Sequence, residues 1–205
     1  MATSDLTTLE MLLQDWRELL SLWAQNGTLT RAAQEALQLE GEPEKLRELV
    51  GEWSQGDFRN LPPVVLLPAS AMPGAAGAYA ISTGTIYLNQ DWLKIVSWEQ
   101  ATAILTEELG HHLDGMFNSM DTPGDEGELF AIRLHRLGLN AEQYTRLMVE
   151  NDFFFTMGGD GLLSLEASAL WTRPVASNVP VVATFYERLY AFRGRDAPAQ
   201  DCTPD

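Results

Sequence analysis

Ile104-Leu105-Thr106-Glu107-Glu108-Leu109-Gly110-His111-His112-Leu113-Asp114 is the stretch on which the reading of this chain turns. Ile104, Leu105, Leu109 and Leu113 recur at helical spacing and hold one stripe of a helix on a core. Glu107 and His111 stand four positions apart and leave that helix from one face. Their Cβ atoms are then about 5–6 Å apart, so both side chains can reach one metal ion. Glu108 lies about 100° further round the helix. A carboxylate there can take a proton from a metal-bound water. Gly110 costs roughly 1 kcal/mol of helix propensity relative to Ala. Close backbone approach or room for a ligand is expected at that position.

Working outward, Ser97-Trp98-Glu99-Gln100 has capping-box spacing, so the helix is expected to open at Ser97 and to run to about Phe117. Before it, Ala78–Ile81 and Thr85–Leu88 flank Ser82-Thr83-Gly84, which predicts a β-hairpin with Gly84 at positive φ. Val64–Leu67 reads as a short buried strand. Asp121-Thr122-Pro123-Gly124-Asp125 is expected to start the next helix, with Pro123 near its first position and its end near Gly138.

The chain before this core reads as helical. Leu6, Leu9, Leu12, Leu13, Trp16, Leu19, Leu20 and Trp23 share one broad face, with Asp5 as cap and Asn26-Gly27 as stop. Two shorter helices follow, over about 30–39 and from Pro43 to near Trp53. After the core, Asn140–Glu150 reads as a helix. Phe153–Met157 and Leu162–Leu165 read as a second hairpin, whose Gly159-Asp160-Gly161 is a turn because it lacks the repeated acids of a calcium loop. Residues 180–193 fit strand or helix equally. The expected organisation is a helical segment over 1–57, a metal-site core over 58–138 and a mixed part over 139–205 packed on the core. The fold class is α+β, a small sheet with its hairpin against the 98–117 helix.

Composition narrows the function. The 205 residues include 45% hydrophobic and 20% charged side chains, values of a folded domain rather than a disordered chain. Lys+Arg is 13 against 29 Asp+Glu, a net charge of -16, which repels nucleic acid and anionic lipid and attracts metal cations or a basic protein partner. No apolar run approaches the roughly 18–20 residues that span a bilayer. No signal-peptide pattern stands at Met1–Asp5, so a cytoplasmic location is expected. The single Cys202 excludes an intramolecular disulfide and a Cys-based zinc ribbon.

The helix pattern from Ile104 to Leu113 resembles the active-site helix of zincin metallopeptidases, whose motif is His-Glu-x-x-His. The frame matches position by position, with Glu107 where those enzymes carry the first metal-binding His. The resemblance implies that Glu108 is the general base and His111 the second ligand. It also implies that the hairpin strand with Ile86-Tyr87-Leu88 borders a substrate cleft. In the Glu-type branch the third ligand is a carboxylate on the next helix, which implies Glu126, with Glu128 as runner-up, in Asp125-Glu126-Gly127-Glu128. The arrangement also looks like a domain of large bacterial calcium-binding repeat-in-toxin-type proteins, which carry a similar Glu-Glu-x-Gly-His and a Gly-Asp-Glu-Gly. The expected activity is that of a metal-dependent hydrolase acting on peptides or proteins, with Tyr79 or Tyr87 at an oxyanion. Replacing His by Glu gives a harder site. Zinc remains the leading ion, and manganese, magnesium and calcium become more competitive. The other expectation is a non-catalytic binding or assembly module on the same scaffold, with a structural ion or none. Helix dipoles alone favour acids at 125, 126 and 128. His112 is expected to be a packed, hydrogen-bonded residue and His135 to face solvent. Asp114 is expected either to orient His111 or to bond a backbone amide.

Overall fold

The computed structural model describes residues 3–120, 122–136, 145, 147, 153–158 and 161–166. Three helices come first, α1 (Thr3–Gln25), α2 (Thr28–Ala36) and α3 (Glu44–Ser54). Asp5 therefore sits inside the first turn of α1 rather than capping it. Gly27, with φ 73, makes the left-handed break that Asn26-Gly27 predicted. Leu12, Trp16, Leu19, Leu20, Leu29, Leu37, Leu46 and Trp53 are all buried, so the apolar stripes of the three helices close on one another.

The sheet has strand order β1 (Val64–Leu67), β3 (Thr85–Asn89), β2 (Gly77–Ala80), β5 (Gly161–Glu166), β4 (Phe153–Gly158). β1 runs parallel to β3, and the other pairs are antiparallel. The hairpin forms where it was expected, with Gly84 at φ 62. β1 corrects its expectation. It is an edge strand with only Leu66 buried and Val65 exposed, because no neighbour covers its outer side among the described residues. β4 and β5 pair as the second predicted hairpin, and β5 meets β2 at Tyr79 and Glu166.

The two faces of the hairpin differ. Ala78 and Ala80 pack with Met72 and Ala75, and Leu67 and Tyr87 cover that cluster. The other face meets α5 (Trp98–Phe117). A Cβ on Gly77 would lie 2.5 Å from Ile104 Cγ2 and 2.6 Å from Glu108 Oε1, so only a bare backbone fits between sheet and helix there. Between β3 and α5 lies the short α4 (Gln90–Leu93), capped by Asn89. α5 opens on the predicted capping box, with Ser97 Oγ accepting from the Gln100 amide and Gln100 Oε1 from the Ser97 amide, both at 3.3 Å.

α6 (Glu126–His135) starts later than expected. Its cap is Asp125, whose Oδ1 accepts from the Glu128 amide at 2.6 Å, so Pro123 lies before the helix and not at its first position. α6 ends at His135, where Arg136 turns left-handed at φ 55. The α5–α6 contact is close enough that a Cβ on Gly110 would stand 2.7 Å from Gly127 Cα. That approach is the reason for a helical glycine at 110.

The helical segment joins this core directly. Trp16 Nε1 donates to Thr106 Oγ1 at 3.1 Å, Trp98 Nε1 donates to Asp15 Oδ2 at 3.0 Å, and Arg133 pairs with Glu35 at 3.0 Å. The described residues all belong to one compact unit, and residues 167–205 lie outside the described residues. The expected 140–150 helix is described only at Thr145 and Leu147, both helical. Gly159, Asp160, the 180–193 segment and Cys202 lie outside the described residues. No helix among the described residues is long and apolar enough to cross a membrane.

Candidate metal centre

Six acids are buried among the described residues: Glu107, Glu108, Asp114, Asp125, Glu126 and Glu128. His111 is buried with them, and no described Lys or Arg is. All lie on α5, on α6 or at the cap of α6. Burying a carboxylate is unfavourable unless a cation or several donors meet it. The fold therefore has to account for each.

Asp114 is met by donors. It accepts from Asn118 Nδ2 at 2.6 Å, from the Thr122 amide at 3.2 Å and from the Thr122 hydroxyl. Of its two expected roles, bonding a backbone amide is the one observed. The His111 ring is oriented by another acid, because Nδ1 meets Glu126 Oε1 at 2.8 Å. Burial pushes the Glu126 carboxyl above its ordinary value, and the His111 hydrogen bond pulls it partly back. Gly127 lies directly beneath the same ring. A Cβ there would fall 2.5 Å from Nε2 and 2.6 Å from Cε1.

Glu107, His111 and Asp125 form the tightest group, each with one ligand atom within 4.8 Å of the others. Glu107 Oε2 is fully buried and has no hydrogen-bond partner among the described residues. Burial, followed by the charges of Asp125, Glu108 and Glu128, raises the Glu107 carboxyl well above its usual range, and His111 opposes that rise. Two buried acids and an imidazole whose ligand atoms lie this close are a donor set suited to a divalent cation.

The structure thus brings together Glu107 and His111 as their spacing implied. It sets Glu126 on Nδ1 of His111 and brings Asp125 into one group with Glu107 and His111. Asp125 was named in the sequence only as part of an acidic first turn. Its signal was the Asp-x-x-Glu spacing of Asp125 and Glu128, which marks an N-cap. A cap residue has extended φ and ψ, here −95 and 83, so its side chain turns back over the helix end and escapes any helical-wheel reading. Glu108 is fully buried on the neighbouring side of α5, against Gly77 of β2.

The other two histidines are not part of this group. His112 Nδ1 pairs with Tyr79 Oη at 2.9 Å, the rings meet edge-on, and burial lowers the His112 pKa to about 4, so it is the packed, bonded residue expected. Tyr87 faces the Met72 side of the sheet, away from α5, so it is not placed to serve an oxyanion beside Glu108. His135 corrects its expectation. Its Nε2 meets Thr106 Oγ1 at 3.2 Å, its ring stands edge-on to Trp23 at 5.0 Å, and burial lowers its pKa to about 4. The flanking arginines suggested a solvent face, but the small Thr102 and Thr106 on α5 leave room for the ring to turn inward.

Compared with protein-family models, curated proteins and solved structures, the chain finds no match in any of the three.

Proposed function

We propose that this protein is a metal-dependent hydrolase of zincin-like type acting on peptides, with Glu107, His111 and Asp125 as ligands of one divalent ion. The observation that carries this reading is the buried group of Glu107, His111 and Asp125, whose ligand atoms lie within 4.8 Å of one another, in a residue set where Glu107 Oε2 has no hydrogen-bond partner among the described residues. Two carboxylates and a neutral imidazole sum to a charge of about −2, which a divalent cation neutralises. With Nδ1 engaged by Glu126, the ligating nitrogen is Nε2, and Glu126 strengthens its basicity as metal-bound imidazoles commonly require. Zinc is the first candidate, and the oxygen-rich set also suits manganese or calcium.

When bound, the ion supplies Lewis-acid polarisation and makes an adjacent water more acidic. Glu108 then takes the proton from the attacking water and returns it to the leaving amine. Its place on α5, one residue past Glu107 and against the Gly77 backbone of β2, puts this base between the ligand group and the sheet.

A second reading is supported by the burial itself. Glu107, His111 and Asp125 are 2%, 4% and 6% exposed, which suits an ion that fastens α5 to α6 in a non-catalytic binding module. Metal analysis of protein purified without chelator, together with peptide-library cleavage by wild type and Glu108→Gln, separates the two. The hydrolase reading expects about one ion per chain in both proteins and a 10²–10⁴-fold slower cleavage by the variant. Bound metal with no cleavage, or equal cleavage by both, leaves the structural ion. No bound metal removes both readings.

A further inference from the structure

The connection from α5 to α6 delivers both Asp125, which joins the group with Glu107 and His111, and Glu126, which meets His111 Nδ1. Helix packing alone does not fix it, because Asp125 precedes the helix. Three side chains do. Asn118, the cap at the end of α5, donates through Nδ2 to Asp114 Oδ1 at 2.6 Å, to Thr122 Oγ1 at 2.8 Å and to the Leu37 carbonyl at 3.1 Å. Thr122 returns to Asp114 through both its amide, at 3.2 Å, and its hydroxyl. Asp114 and Thr122 are 3% and 6% exposed, so water does not compete well for these bonds. Three residues beyond Thr122, the Asp125 amide donates to the Leu147 carbonyl at 2.6 Å.

We propose that Asp114, Asn118 and Thr122 are positioning residues that hold this connection in register, so that metal affinity depends on the clamp as well as on the ligands. The proposal rests on the metal reading above. Its geometry gives a reason for the burial of an acid one turn beyond His111: Asp114 grips the chain that carries the partner acids. Through the Leu37 carbonyl the clamp also ties the metal-bearing connection to the end of α2.

The test measures zinc affinity by chelator competition for wild type, Thr122→Val, Thr122→Ser and Asn118→Ala, together with thermal melting of each in EDTA. Valine keeps the shape of threonine and removes the hydroxyl, whereas serine keeps the hydroxyl. The expected result is a loss of about 10–100-fold in zinc affinity for Thr122→Val. Thr122→Ser should stay near wild type, and Asn118→Ala should weaken binding in the same direction. A purely structural role would lower melting in EDTA and leave zinc affinity unchanged. Wild-type affinity in both Thr122→Val and Asn118→Ala overturns the clamp while leaving the metal reading intact. If Thr122→Val does not fold, Asn118→Ala alone decides. A wild type that takes up no zinc overturns the clamp together with the metal reading.

Discussion

The α1–α3 helices and the α5–α6 corner are equally well buried, by opposite means. In the first, Leu12, Trp16, Leu19, Leu20, Leu46 and Trp53 fill the space between helices, and each large apolar side chain contributes about 1.5–3 kcal/mol by leaving water. Its main polar cost is Trp53 Nε1, buried without a hydrogen-bond partner among the described residues, worth about 1–3 kcal/mol. In the second, two helices approach to backbone contact at Gly110 and Gly127 and enclose acids around one imidazole. The first arrangement is complete with protein alone. The second is balanced by donors at Asp114 and by His111 at Glu126, and it leaves Glu107 Oε2 without a hydrogen-bond partner among the described residues.

Three substitutions break or sharpen this contrast. Trp16→Ala should have the largest effect, about 3–5 kcal/mol lost in chemical denaturation. Because Trp16 serves the apolar region, the loss should be the same with metal and with chelator. A loss that vanishes on adding metal would blur the division between the two regions. Gly127→Ala comes next, at about 1–3 kcal/mol, since its methyl would strike the His111 ring. Its signature is a reduced gain in melting temperature when metal is added, read by calorimetry.

His135 gives the smallest effect and a sign. Its pKa is about 4 in the folded chain and near 6.5 when exposed, so the unfolded state takes up the proton first. Its contribution is therefore intact above pH 6.5 and is lost as pH falls from there toward 4. His135→Gln should flatten the fall in stability across that window, measured by denaturation at several pH values. An unchanged slope would place the acid sensitivity elsewhere.

The periodic parts of this molecule were legible in its sequence. The apolar stripes of α1–α3, the Ser97–Gln100 cap and the Gly84 hairpin each depend on neighbours within a few positions. What failed depends on partners distant in the chain. Val64–Leu67 has the composition of a central strand, yet parallel pairing with β3 leaves it at the edge. His135 turns inward to meet the Thr106 hydroxyl, 29 positions earlier. At the centre, helical spacing placed Glu107 beside His111 but did not show how Asp125 and Glu126 would each meet that pair. One stands at the cap and the other inside the helix, where a single residue reverses the direction of the side chain.

The touching glycines have a mechanical consequence. Helices separated by interlocking side chains can slip by small rotamer changes, whereas two rods in main-chain contact at Gly110 and Gly127 have no such cushion. Shear between these rods is therefore a poor gate. On its other side α5 meets β2, whose backbone at Gly77 lies against the Glu108 side chain, so this close approach too leaves little play between the elements.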